Sequence, residues 1–234
     1  PPPARAPTRD DFETLALSGT GEYGRVLMVR YVYNGQIYAM KVIAKTNLVL
    51  RGQTSIAQAI AESEILQTVR HPYIVSLHFA FQDQEHLYLV MDYAGGGDLF
   101  ALIEAKRTLP ENWIKMYAAE VVMAIEHCHS QAIVYRDLKP ENIMVGLDGH
   151  LMLTDFGLAK RLRGGTDPRT GNQDDARRGS NTTGTICGTP SYLAPEILKG
   201  EKYGFAVDWW TVGCLIYEMA TGETPFRGAS LVRL

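Results

Sequence analysis

A carboxylate, an ammonium and an amide fall close together in the stretch Val134-Tyr135-Arg136-Asp137-Leu138-Lys139-Pro140-Glu141-Asn142, carried by Asp137, Lys139 and Asn142. Two short apolar runs follow, Ile143-Met144-Val145 and Leu151-Met152-Leu153, around an Asp148-Gly149 turn, which is the pattern of a hairpin. Beyond it stands Asp155-Phe156-Gly157, so the hairpin holds Asn142 and Asp155 on either side of one cavity. Apolar helices supply the scaffold. The helix opened by Leu109-Pro110-Glu111 carries Ile114, Tyr117, Ala118, Val121, Val122 and Ile125 at the spacing of a core-facing stripe. The helix over Val207 to Thr221, with Trp209, Trp210, Leu215, Tyr217 and Met219, is apolar on nearly every face and is expected to be buried throughout. His127 and His129 read as ordinary residues at a helix end.

The first half is different in kind. Pro1, Pro2, Pro3 and Pro7 predict an extended linker over residues 1–11. Gly19-Thr20-Gly21-Glu22-Tyr23-Gly24-Arg25-Val26 then follows the G-x-G-x-x-G-x-V pattern, whose glycines let a backbone approach phosphates. A Rossmann loop of this pattern would lead into a helix. Here Val26 to Val29 followed by Asn34-Gly35 predicts a strand and a hairpin turn instead. Ile37 to Ile43 is a strand on which Ala39, Lys41 and Ile43 share a face. A lysine in an apolar strand is costly unless paired, and Glu62, on a helix over Ser55 to Val69, is the expected partner; the alternative is a lysine that snorkels to solvent. Ile74 to Leu77 and Leu87 to Met91 read as two further strands, and Asp92 to Gly97 as a glycine-rich hinge or a plain linker.

With 46% hydrophobic residues over 234 positions, the chain can bury a substantial core. Its net charge of -3 gives no overall basic excess to attract nucleic acid or an anionic membrane. The apolar run near Trp209 is too short and too interrupted to insert in a bilayer. Three cysteines without metal-ligand spacing, and no signal-peptide pattern, point to a reducing compartment, cytoplasmic or nuclear.

Phosphoryl transfer requires a carboxylate to orient a hydroxyl, a cation for the moving phosphoryl group and oxygen ligands for Mg²⁺. The motifs above, in this order and spacing, resemble the eukaryotic-type protein kinases, with Tyr135 in place of the usual His as in the AGC group of Ser/Thr kinases. The resemblance runs from about Phe12 to Phe226 and implies an α+β, bilobal protein kinase-like fold. Its parts are a small lobe over residues 12–91, a hinge over 92–97 and an incomplete large lobe over 98–234 with an activation segment over 155–196. It further implies that ATP is held by Gly19, Thr20, Gly21, Gly24, Val26, Ala39, Lys41, Met91, Asp92, Ala94, Asp98, Glu141, Asn142, Met144 and Asp155. Lys41, paired with Glu62, contacts the α- and β-phosphates, and Asn142 with Asp155 holds Mg²⁺. Asp137 then takes the substrate proton and Lys139 neutralises the γ-phosphoryl charge.

The same resemblance makes Thr185 an activating phosphosite for an upstream kinase, with Arg136 and Lys160 as phosphate partners and Thr182 and Thr183 as competing sites. Arg161 to Gly184, nearly free of apolar residues, is expected to be a mobile loop. Asp98, Glu141 and Glu218 would face arginines two and three residues before the acceptor in protein substrates, although Asp98 could equally contact ribose. Ile186, Pro190 and Leu193 would line a pocket for the residue after it, and Asp208 would receive backbone N–H groups of the catalytic loop. Gln58 stands where AGC kinases usually carry a phosphate-contacting His. The reading from another class is a catalytically weak or silent fragment that serves as a nucleotide-binding or scaffold module. Retention of Lys41, Asp137 and Asp155 speaks against it.

Overall fold

A computed structural model describes residues 5–21, 24–50, 52–162, 182–185 and 187–226. The loop tip Glu22-Tyr23, most of the segment expected to be a mobile loop, and Ile186 lie outside these residues. The chain divides into two compact units, Pro1–Arg70 with Val75–Gly95, and His71–Ile74 with Gly96–Leu234.

The first unit is built on an antiparallel sheet of β1 (Phe12–Gly21), β2 (Gly24–Tyr31), β3 (Ile37–Ala44), β4 (Leu77–Gln82) and β5 (His86–Asp92), in the order β1-β2-β3-β5-β4. Side chains alternate between faces along a strand. One face therefore collects Leu27, Val29 and Tyr31 of β2, Tyr38, Met40 and Val42 of β3, and Tyr88 and Val90 of β5 into a core with Phe12. Phe79 and Phe81 pack on it, the latter stacked on Phe12 at 5.7 Å between ring centroids. The β2–β3 turn needs Gly35 at φ 72°, where its N–H donates to the Tyr31 carbonyl. α1 (Lys45–Leu50) and α2 (Gln53–Thr68) complete the unit.

Three expectations change here. A strand over Ile74 to Leu77 is displaced: β4 starts at Leu77, and Ile74 forms isolated bridges within the second unit, antiparallel to His71 and parallel to Leu153. α1 had no counterpart in the sequence reading. The residues before β1 are more than a linker, since the Arg5 guanidinium makes two 2.8 Å bonds to the buried Asp11 carboxylate and Tyr33 donates to it at 3.0 Å. These bonds hold the Asp11 carboxyl well below the usual carboxylate range, the Arg5 hydrogen bond most of all.

The second unit contains α3 (Leu99–Lys106), α4 (Glu111–Ser130), α5 (Pro195–Leu198) and α6 (Ala206–Thr221), with small sheets β6–β9 (Ile133–Val134 with Lys160–Arg161) and β7–β8 (Ile143–Val145 with Leu151–Leu153). α4 buries Tyr117, Val121 and Ile125 of the predicted stripe together with Glu120, Ala124 and Cys128, while Ile114, Ala118 and Val122 are only half-buried. α6 departs from expectation. Val207, Val212, Leu215 and Met219 are buried, but Trp209, Trp210 and Tyr217 are 41%, 37% and 48% exposed. A glycine closes α6: Gly222 has φ 75°, and a Cβ there would lie 2.1 Å from the Arg107 carbonyl oxygen.

Candidate active site

On the first unit, the face of the sheet opposite the aromatic core carries the residues that the motifs single out. Val26 pairs across strands with Lys41, and Ala39 pairs with both Met28 and Met91, so all share that face. Lys41 Nζ lies 2.7 Å from Glu62 Oε1, with Glu62 buried on α2. Burial makes each of these charges depend on the other, because an ion left alone in such a place forfeits its hydration. The strand lysine is thus paired rather than snorkelling. Gly19 and Gly24 differ. A Cβ on Gly19 would meet nothing within 4 Å, whereas on Gly24 it would lie 1.9 Å from the Val42 carbonyl oxygen. Gly24 is thus required by the β2–β3 packing itself. At the end of β5, the Asp92 N–H donates to Ser76 O, and its carboxylate accepts from the Ser76 N–H at 2.9 Å and contacts His78 Nε2 at 2.6 Å. Ala94 is partly exposed just beyond.

On the second unit, the polar loop converges on one carboxylate. Asp137 Oδ2 is 2.9 Å from Asn142 Nδ2 and 3.0 Å from Lys139 Nζ, and Asp137 Oδ1 accepts from Thr189 Oγ1 at 3.1 Å. Lys139 also donates to Thr189 at 2.9 Å. Thr189 was missed in the sequence; its only signal was the Gly188-Thr189-Pro190 punctuation, and its partners lie some fifty positions upstream. Gly188 at φ 109° makes the approach feasible, because a Cβ there would be 2.9 Å from the Arg136 carbonyl oxygen.

The loop's backbone is strained and held. Arg136 has φ 71°, a conformation that costs a non-glycine residue about 1–2 kcal/mol. Asp208, with no exposed surface, accepts from the N–H groups of Tyr135 at 2.9 Å and Arg136 at 2.8 Å. His129 Nε2 lies 2.7 Å from the same carboxylate, so this histidine is tied to the loop's anchor rather than being an ordinary helix-end residue. The Tyr135 hydroxyl donates to the Thr154 carbonyl and its ring meets Phe156 edge-on at 5.1 Å, which fixes the loop to the segment that bears Asp155.

The donor set fits Mg²⁺, a hard cation that takes oxygen ligands. Both amide protons of Asn142 Nδ2 are committed, to Asp137 Oδ2 and to the Asp137 carbonyl, so its amide oxygen is the end left for a metal. Asp155, at φ 48°, presents an exposed carboxylate that also accepts from the Gly157 N–H at 3.2 Å.

The other named residues take varied places. Asp98 caps α3, accepting from Ala101 N at 2.7 Å, and bridges to Met144 on β7. Glu141 is exposed. Glu218 is buried, accepts from the Tyr192 hydroxyl, and has its carboxyl pushed up by burial. Leu193 is buried and Pro190 exposed. Lys160 donates to Thr183 Oγ1 at 2.9 Å, and that oxygen lies 3.5 Å from the hydroxyl of exposed Thr185. Arg136 is buried against neutral oxygens, Leu158 O at 2.7 Å and Tyr203 Oη at 3.3 Å.

A strand lysine held by a helix glutamate, and a loop aspartate held by an asparagine, a lysine and an activation-segment threonine, define a protein kinase domain. The chain belongs to that family: residues 12–232 match the protein kinase domain. Among curated relatives it is 45% identical to "Protein kinase 2" of Dictyostelium discoideum over 94% of this chain. It is 43% identical to the RAC family serine/threonine-protein kinase homolog of the same organism over 92% of this chain, and 42% identical to human RAC-beta serine/threonine-protein kinase over 97%. It spans 42%, 45% and 44% of those three proteins, so it corresponds to less than half of each. Among the described residues, no helix is long and apolar enough to cross a membrane.

Proposed function

We propose that the chain transfers the γ-phosphoryl group of ATP to serine or threonine hydroxyls of protein substrates. The observation that carries this is the Asp137 carboxylate, fixed by Asn142, Lys139 and Thr189 at 2.9, 3.0 and 3.1 Å. A carboxylate so placed orients an incoming hydroxyl and accepts its proton, which is worth about 10²–10⁴ in rate. Lys139, shared between Asp137 and Thr189, sits where it offsets charge on the group in transit. Lys41, kept charged and oriented by Glu62, serves the α- and β-phosphates. Asn142 and Asp155 hold Mg²⁺, which when bound neutralises phosphate charge.

Substrates with arginines upstream of the acceptor fit Glu141 and Glu218. Exposed Glu141 can pair directly, while Glu218 must exchange its Tyr192 bond for a guanidinium. An upstream kinase acting on Thr185 is supported by Arg136, a buried cation with only neutral partners among the described residues, and by Lys160 close by. Cytoplasm or nucleus suits the three free cysteines.

Incubation with ATP, Mg²⁺ and an arginine-rich serine peptide tests the reading. Transfer is expected and should fall by at least about a hundredfold in Asp137→Ala. An ATP-dependent melting shift without any transfer would instead mark a nucleotide-binding module.

A further inference from the structure

Tyr203 lies in none of the motifs above, yet its side chain joins the catalytic loop to the activation segment. The residue is 3% exposed. Its backbone forms a two-bond bridge with Thr183, N to O at 2.8 Å in each direction. Its hydroxyl oxygen is 3.3 Å from Arg136 Nη1 and 3.8 Å from Cys187 Sγ, and it also contacts the Thr185 carbonyl oxygen. Chemistry fixes the direction of these bonds. A guanidinium only donates and a carbonyl only accepts. The phenol must therefore accept from Arg136 and give its own proton to Thr185, forming a donor chain from Arg136 through Tyr203 to the Thr185 backbone. Burial pushes the Tyr203 phenol up to about 12, so the proton that completes the chain stays in place at neutral pH. Chains of this kind polarise one another in a low-dielectric interior.

We propose that Tyr203 is a positioning residue that holds the activation segment against the catalytic loop while Thr185 carries no phosphate. This deepens the kinase reading and its assignment of Thr185 as a phosphosite. In the unmodified chain, Arg136 bonds the start of the segment at Leu158 and reaches the Thr183–Thr185 stretch through the Tyr203 hydroxyl. A phosphate on Thr185 supplies a dianion that Arg136 and Lys160 bind directly, and the tyrosine relay becomes redundant. The hydroxyl thus sets basal activity and hence the factor by which phosphorylation activates.

The test uses Tyr203→Phe in the full chain, which keeps the ring and deletes the relay. Peptide phosphorylation is measured for wild type and variant, each unmodified and Thr185-phosphorylated, with Thr185→Ala as the control for site occupancy. The unmodified variant should lose roughly tenfold in kcat/KM, the size of one lost hydrogen bond to a charged group, while the phosphorylated variant stays within about twofold of wild type. Equal losses in both states would make Tyr203 merely structural and overturn the proposal, as would no loss in either. Equal wild-type rates with and without phosphate would instead sink the assignment of Thr185. Should the variant melt early, hydrogen exchange decides. Faster exchange confined to residues 182–187 of the unmodified form supports the latch, and faster exchange spread through α6 overturns it.

Discussion

Glycine at position 24 and glycine at position 19 look equivalent in the phosphate-loop motif, but they answer to different forces. A methyl group at Gly24 would sit 1.9 Å from the Val42 carbonyl, inside any tolerable contact, and only a shift of β2 against β3 relieves it. Gly24→Ala should therefore cost about 1–3 kcal/mol by overpacking, whereas Gly19→Ala, which meets nothing within 4 Å, should stay within about 0.5 kcal/mol of wild type. Denaturant titration of the two variants checks this. Asp208 is the second position where a single side chain carries a disproportionate burden. In Asp208→Asn, one of the two backbone donors at Tyr135 and Arg136 faces an amide NH₂ instead of an oxygen, at a cost of about 1–3 kcal/mol. Activity should fall further than stability does, because the same bonds hold Arg136 at φ 71° and so aim Asp137.

Among the elements, those with strong periodicity or punctuation were legible in the sequence and those set by distant partners were not. β3, the β7–β8 hairpin and α4 follow their alternation, turn and stripe. The turn His71 to Ile74 misled because Ile74 and Val75 are buried without belonging to a strand, while the true β4 blurs its alternation with apolar Ala80 at an exposed position between Phe79 and Phe81. α3 was obscured by reading the glycines before it as the end of a hinge, although Asp98 ahead of an apolar run was a helix-start signal. Within the second unit, that same turn is also where pH should act. The His71 ring stacks on His127 of α4 at 5.0 Å and lies 5.5 Å from Tyr73, and burial first, then His127, lowers its pKa from the ordinary 6.5. A lowered histidine contributes stability that is in place above pH 6.5 and is lost as pH falls through the folded value. His150 runs the opposite way, since its hydrogen bond to Glu120 raises its pKa. The wild-type curve therefore mixes the two, and the difference from a variant isolates one. His71→Phe should gain on wild type in melting temperature between pH 7.5 and pH 5.5, and a gap that stays constant or moves the other way would contradict the assignment.

Across the whole molecule, the lysine–glutamate pair assigned to the α- and β-phosphates belongs to one unit, and the groups assigned to the γ-phosphoryl, the metal and the acceptor hydroxyl belong to the other. Lys41 and Glu62 lie on the first, and Asp137, Lys139, Asn142, Asp155 and Thr189 on the second. That partition was visible in the sequence as motif order, whereas Thr189 and Tyr203 were not, since each meets the catalytic loop only through long-range folding. Separate placement also predicts separable kinetics. Asp137→Asn removes the proton acceptor but keeps the shape and neutralises one charge, so ATP should still raise the melting temperature while peptide phosphorylation falls by about 10²–10⁴. Lys41→Met removes the cation 2.7 Å from the buried Glu62 carboxylate, which should weaken the ATP-dependent melting shift together with transfer and lower the melting temperature of the free protein. Calorimetric melting with and without ATP, beside peptide phosphorylation, distinguishes the two variants. Should Asp137→Asn abolish the nucleotide shift as completely as Lys41→Met, the division of nucleotide binding and proton transfer between Lys41 and Asp137 would be overturned.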